Sequence, residues 1–131
     1  MVCLDTTFLI DLLRGSPAAE KKLQYYSDKY EPLTTTPISA AELFKGAYGA
    51  SDRRAEVAKA RGVLEYLELL EMPVSVCEEY GKLINDQRAK GYLIGDLDTL
   101  IGSTALIHRQ ILITRNKTHF EKIPGLIVET W

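Results

Sequence analysis

The chain has 131 residues, 46% of them apolar and 26% charged, with a formal net charge of −2. That length suits one domain, expected to span residues 1–131, and the balance excludes a disordered or fibrous chain. A slightly acidic protein is also not a nucleic-acid binder of the simple basic kind; acids gathered at a metal site, with cations elsewhere, would be needed.

No apolar run approaches a membrane span, since residues 106–113 are broken by His108, Arg109 and Gln110. The opening MVCLDTTFLI has neither a basic lead nor a small-residue cleavage site, so the protein is expected in the cytoplasm. Two Cys and two His occur without CxxC or HxxxH spacing, which leaves a zinc site unsupported. Cys3 and Cys77 sit in apolar segments and are expected to be reduced core thiols.

In chain order, VCLD reads as a buried strand that ends at an aspartate. TTFLIDLLRG follows with helical spacing at Phe8, Leu9, Leu12 and Leu13. Gly15 and Pro17 end that helix and open another over PAAEKKLQYYSDK. EPLTTT is β-branched and precedes the helix PISAAELFKGAYGA, repeating the strand–helix alternation. Residues 52–70 carry Val57, Ala60, Val63, Leu64, Leu67 and Leu70 at three- and four-residue spacing, the mark of an amphipathic helix. MPVSV is then expected as a third strand, residues 77–91 as a helix stopped by Gly91, and residues 97–109 as a further helix. QILITRN and GLIVETW complete about five strands. Such alternation predicts an α/β fold, a mostly parallel sheet with helices on both faces.

Open α/β sheets collect their sites at the carboxyl ends of the strands. Asp5 stands at such an end, although Asp there also serves as a helix N-cap. Glu42 lies in ISAAELFKGA, where Ala40 and Ala41 permit close packing and would let it point towards Asp5 rather than solvent. GYLIGDLDTLIGSTAL puts Asp96 and Asp98 at a helix start; positions i and i+2 do not share a face, so one of them is expected to enter a site while the other caps the helix or stays solvated. ITRN places Thr114, Arg115 and Asn116 at another strand end. Convergent oxygen ligands of this kind suit magnesium or manganese, and a cluster of acids repels itself unless a cation joins it.

Together LDTTFLIDLLRG, ISAAELFKGA, GDLDTLIGSTAL and LITRNKTHFEKIPGLIV resemble the successive motifs of PIN-domain nucleases, over nearly the whole chain. Within that superfamily the chain is most similar to the VapC-type toxins of toxin–antitoxin pairs. The resemblance implies a PIN-like fold and hydrolysis of RNA phosphodiester bonds with Mg2+ or Mn2+. It puts the family's acids on Asp5, Glu42 and Asp98, with Asn116 at a fourth position that is acidic in many members. His119 stands where many relatives have an acid. Asp5, Glu42 and Asp98 would hold one or two divalent ions that activate water. Thr6 and Thr7 would orient these groups, and Arg14, Lys45 and Arg115 are candidates for phosphate contact.

The resemblance further implies a cognate antitoxin and a homodimer. Tyr25, Tyr26, Tyr30, Phe44 and Tyr48 are expected to be mostly core, with some available to a partner groove. The competing readings are a catalytically silent PIN-like binding module and a receiver-like or small phosphatase domain. The latter would need a lysine after a late strand, where this chain has TRN.

Overall fold

A computed structural model describes residues 1–30 and 32–131. Its strands are β1 (Val2–Leu4), β2 (Thr34–Thr35), β3 (Glu68–Leu69), β4 (Ile111–Ile113) and β5 (Val128–Glu129). They form one sheet in the order β3-β2-β1-β4-β5, and every pairing is parallel. The helices are α1 (Thr6–Leu13), α2 (Pro17–Lys29), α3 (Pro37–Tyr48), α4 (Arg53–Leu64), α5 (Val74–Lys90), α6 (Asp96–Ile107) and α7 (Lys117–Phe120).

The two-residue period of a strand divides the core in two. Val2, Leu4 and Ile113 face one side, where Phe8 and Leu9 of α1, Tyr26 of α2, Leu43 of α3 and Val57 of α4 cover them. Cys3 and Leu112 face the other, against Leu83 of α5, Ile101 and Ala105 of α6, and Phe120 of α7. The expected parallel sheet with helices on both faces is therefore what forms. Burial on both sides explains why β1 and β4 read as continuous apolar runs. Each fully buried large side chain, such as Phe8 or Ile101, contributes about 1.5–3 kcal/mol.

Local signals start and stop the helices. Ser16, Thr36 and Asp52 accept backbone N–H bonds from Ala19, Ser39 and Ala55, and Pro17 and Pro37 open their helices. Gly91 ends α5 at φ 79°, where a Cβ would strain the backbone.

The third strand departs from expectation. MPVSV is not a strand: Pro73 stands just before α5, and Val76 is buried in its first turn while Val74 is exposed. The observed β3, Glu68–Leu69, lies inside the stretch read as one helix over 52–70, because α4 ends at Leu64. Neither residue has a strong strand preference. The strand exists because Glu68 N–H donates to the Leu33 carbonyl and Leu70 N–H to that of Thr35, so tertiary pairing overrides local tendency. The EPLTTT strand is likewise shorter, Thr34–Thr35, and its Glu31 lies outside the described residues. Cys77 is exposed rather than core, since it falls on the outer face of α5; Cys3 is buried as expected. Of Tyr25, Tyr26, Tyr30, Phe44 and Tyr48 only Tyr26 is fully buried, while Tyr25 and Tyr48 are about half exposed. No helix among the described residues is long and apolar enough to cross a membrane.

Candidate active site

From β1 the chain moves to β2 on one side, and later returns to place β4 on the other. That reversal opens a crevice at the carboxyl ends of β1 and β4. Asp5 follows β1 directly and Thr114 follows β4 directly.

Asp5 is 2% exposed. It occupies the N-cap position of α1, yet its side chain makes no capping bond. Its Oδ2 instead accepts from Thr114 Oγ1 at 2.6 Å and Thr7 Oγ1 at 3.1 Å. Burial pushes the Asp5 carboxyl above its usual range, against the hydroxyls of Thr114 and Thr7 and the Thr6 amide; the charge of Glu42 pushes the same way as burial. Glu42, on α3, accepts from Thr6 Oγ1 at 2.8 Å, so adjacent threonines at the start of α1 hold two different carboxylates.

Asp98 completes the set from the first turn of α6. Its carboxyl is pushed up to about 6, first by burial and then by the charges of Asp5 and Glu42, with His119 acting in the opposite sense. His119 Nδ1 lies 4.0 Å from Asp98 Oδ2. Asp96 faces out and accepts from the Tyr80 hydroxyl at 3.2 Å, which assigns the inward and outward members of the i, i+2 pair. Thr114 is fully buried and also accepts the Asn116 N–H at 3.0 Å, with the Thr7 hydroxyl 3.4 Å away. Asn116 is half-buried at the start of α7, and its side chain makes no capping bond. The Arg115 guanidinium meets Asp11 and Trp131, while Arg14 and Lys45 are exposed. Among the described residues no group of three or more His, Cys, Asp or Glu side chains is spaced to hold an ion by itself.

Gln87 has a supporting part that sequence reading missed. It is 2% exposed beneath the start of α6. Its amide donates to Thr99 Oγ1 at 3.1 Å and accepts from Ile94 N–H at 3.1 Å, pinning the loop that delivers Asp98. A glutamine inside an amphipathic helix carries no sign of this in sequence. Asp11, Trp131 and the contact of His119 with Asp98 were equally silent.

The family model for the PIN domain matches residues 2–126. The chain belongs to the PIN-domain family. Among PIN-domain relatives, it is 31% identical over 130 residues to Ribonuclease VapC1 of Haemophilus influenzae, covering 98% of this chain and 96% of that one. It is 25% identical over 128 residues to the tRNA(fMet)-specific endonuclease VapC of Salmonella typhimurium, covering 98% and 96%. The crystal structure of VapBC2 from Rickettsia felis, bound to a DNA fragment from their promoter, superposes with a TM-score of 0.92 at 27% identity, covering 100% of this chain and 99% of that one. This PIN domain thus shares its fold with the Rickettsia felis structure and spans nearly the full length of all three proteins.

Proposed function

We propose that this PIN domain, residues 1–131, is a divalent-metal-dependent endoribonuclease that hydrolyses RNA phosphodiester bonds and acts as the toxin of a VapBC-type toxin–antitoxin pair. The reading is supported by Asp5, Glu42 and Asp98, from three separate elements, lying near enough to one another for their charges to raise the Asp98 carboxyl. Two of the three are held by threonine hydroxyls.

The all-oxygen donor set fits a hard cation. Magnesium or manganese binds through one or two carboxylates and keeps its own waters, so three carboxylates need not close on one point. Asp5, Glu42 and Asp98 would hold it, with Asn116 beside them. A cation there lowers the pKa of water and neutralises charge on the phosphoryl group. The protein's own contribution is to hold Asp5 and Glu42 in fixed orientations through Thr6, Thr7 and Thr114. Burial and the charges of Asp5 and Glu42 raise the Asp98 carboxyl in the metal-free chain, a repulsion that a bound cation would offset.

An open groove of about 490 Å³ is lined by Ile10, Leu13, Leu43 and Ala47 together with Glu42, Arg14, and the paired Glu56 and Lys59. It suits an antitoxin segment with apolar anchors. A homodimer, as the family resemblance implies, would double the RNA-facing surface. The test is cleavage of an RNA panel by purified protein with magnesium, with manganese, and in excess EDTA, with Asp5→Asn as control. Cleavage only with added metal, and none by the variant, is expected. Cleavage undiminished in EDTA overturns the metal mechanism, and no cleavage of any RNA by wild type favours a silent binding module.

A further inference from the structure

Trp131, the chain's one tryptophan, comes from beyond β5 yet packs on α1, crossing the carboxyl end of β4. Its ring meets Phe8 edge-on at 4.8 Å between centroids, and the Arg115 guanidinium lies over it at 4.3 Å. Its indole N–H donates to Asp11 Oδ2 at 3.0 Å, and the same oxygen is 3.5 Å from Arg115 Nε. Arg115 Nη1 donates to the Trp131 carbonyl. The backbone of Arg115 is tied to the carboxylate cluster as well: its N–H donates to Thr7 Oγ1, whose own proton goes to Asp5. One arginine at the rim is thus fixed by an aromatic face, a carboxylate and two backbone contacts.

We propose that Trp131 and Asp11 are positioning residues that hold Arg115 stretched along the rim of the carboxylate site, where its outer edge contacts the RNA backbone next to the cleaved bond. The inference rests on the nuclease reading above. Stability alone accounts poorly for the arrangement, because a half-exposed ion pair gains little and Phe8 would anchor a tryptophan without help from an arginine. Pre-ordering accounts for it well. A guanidinium stacked on an aromatic ring loses less freedom on meeting a phosphate than a loose side chain does. Nε and Nη1 are spent on the protein, while Nη2 has no partner among the described residues and the side chain is 46% exposed.

The experiment measures binding of a short fluorescent single-stranded RNA to the full chain carrying Asp5→Asn, with magnesium, across a range of salt. Arg115→Ala should weaken binding roughly tenfold and reduce the salt slope by about 0.7. Trp131→Ala should weaken it severalfold, Trp131→Phe should restore much of the loss, and Trp131→Ala should add nothing in an Arg115→Ala background. Tryptophan emission should shift on Arg115→Ala, and RNA should shield the indole from acrylamide. Unchanged affinity for Arg115→Ala, or an equal loss from Trp131→Ala in both backgrounds, overturns the inference and leaves the nuclease reading standing. Failure of both the Asp5→Asn protein and the wild type in EDTA to bind RNA at all sinks both.

Discussion

Replacing Asp98 by Asn should abolish cleavage yet make the protein melt higher in EDTA. In the folded chain the Asp98 carboxyl is lifted from 3.8 to about 6. About two pKa units correspond to roughly 3 kcal/mol of penalty on the charged form at pH 7.5. The side chain keeps 26% of its surface, so solvent screens part of that, and about 2 kcal/mol is the fair figure. Against this, Asp98 lies in the first turn of α6, and the lost attraction to the helix dipole costs about 0.5 kcal/mol. The net gain of about 1.5 kcal/mol should raise Tm by roughly 4–7 °C. Between about pH 4 and 6 the folded chain binds more protons at this carboxyl than the unfolded chain does, so wild-type stability falls as pH rises through that window. The difference between variant and wild type should therefore vanish near pH 4 and be fully present above about 7. Magnesium, binding the folded wild type better, should narrow or reverse it. Thermal melts of both proteins in EDTA, across pH 4–8 and with added magnesium, make the comparison. A variant that melts lower than wild type at pH 7.5 in EDTA would refute the reasoning and leave Asp98 an ordinary helix-start acid.

Thr114→Val removes the hydroxyl that donates to Asp5 and accepts the Asn116 N–H, leaving a buried carboxylate short of a donor and an amide unpaired. It should cost about 2–3 kcal/mol in thermal or urea unfolding, and move the acidic limb of the cleavage pH profile upward because the Asp5 carboxyl rises further. A stability within about 0.5 kcal/mol of wild type would show that Thr114 does not support the site. A chromogenic disulfide reagent should label Cys77 quickly under native conditions and Cys3 only after denaturation. Cys77 is exposed, whereas burial pushes the Cys3 thiol up to about 12. Two thiols reacting at one rate in the native protein would contradict the buried β1.

Much was decided along the chain itself. The apolar runs of β1 and β4, the helix-opening prolines Pro17 and Pro37, and the stop at Gly91 are local signals, and the structure keeps them. The motif order picked out Asp5, Glu42 and Asp98 as candidates, Asp5 directly after β1, Glu42 inside α3 and Asp98 in the first turn of α6. Glycine, proline and apolar period act over a few residues, so they are legible without a fold.

What the chain could not announce depends on partners distant in sequence. Glu68–Leu69 becomes a strand only because Thr34–Thr35 offers hydrogen bonds, while Val74 and Val76, which look more strand-like, fall into α5. Asp98 rather than Asp96 turns inward because of the rotation of α6, which Gln87 fixes from beneath. The two threonines after Asp5 look interchangeable, yet one holds Glu42 and the other Asp5. Arg115 reads as a loose surface cation until Trp131 and Asp11 are brought to it from the far end of β5 and the middle of α1. Local pattern chooses elements through backbone sterics and burial, whereas the direction and charge state of a site side chain are set by neighbours that only the closed sheet assembles.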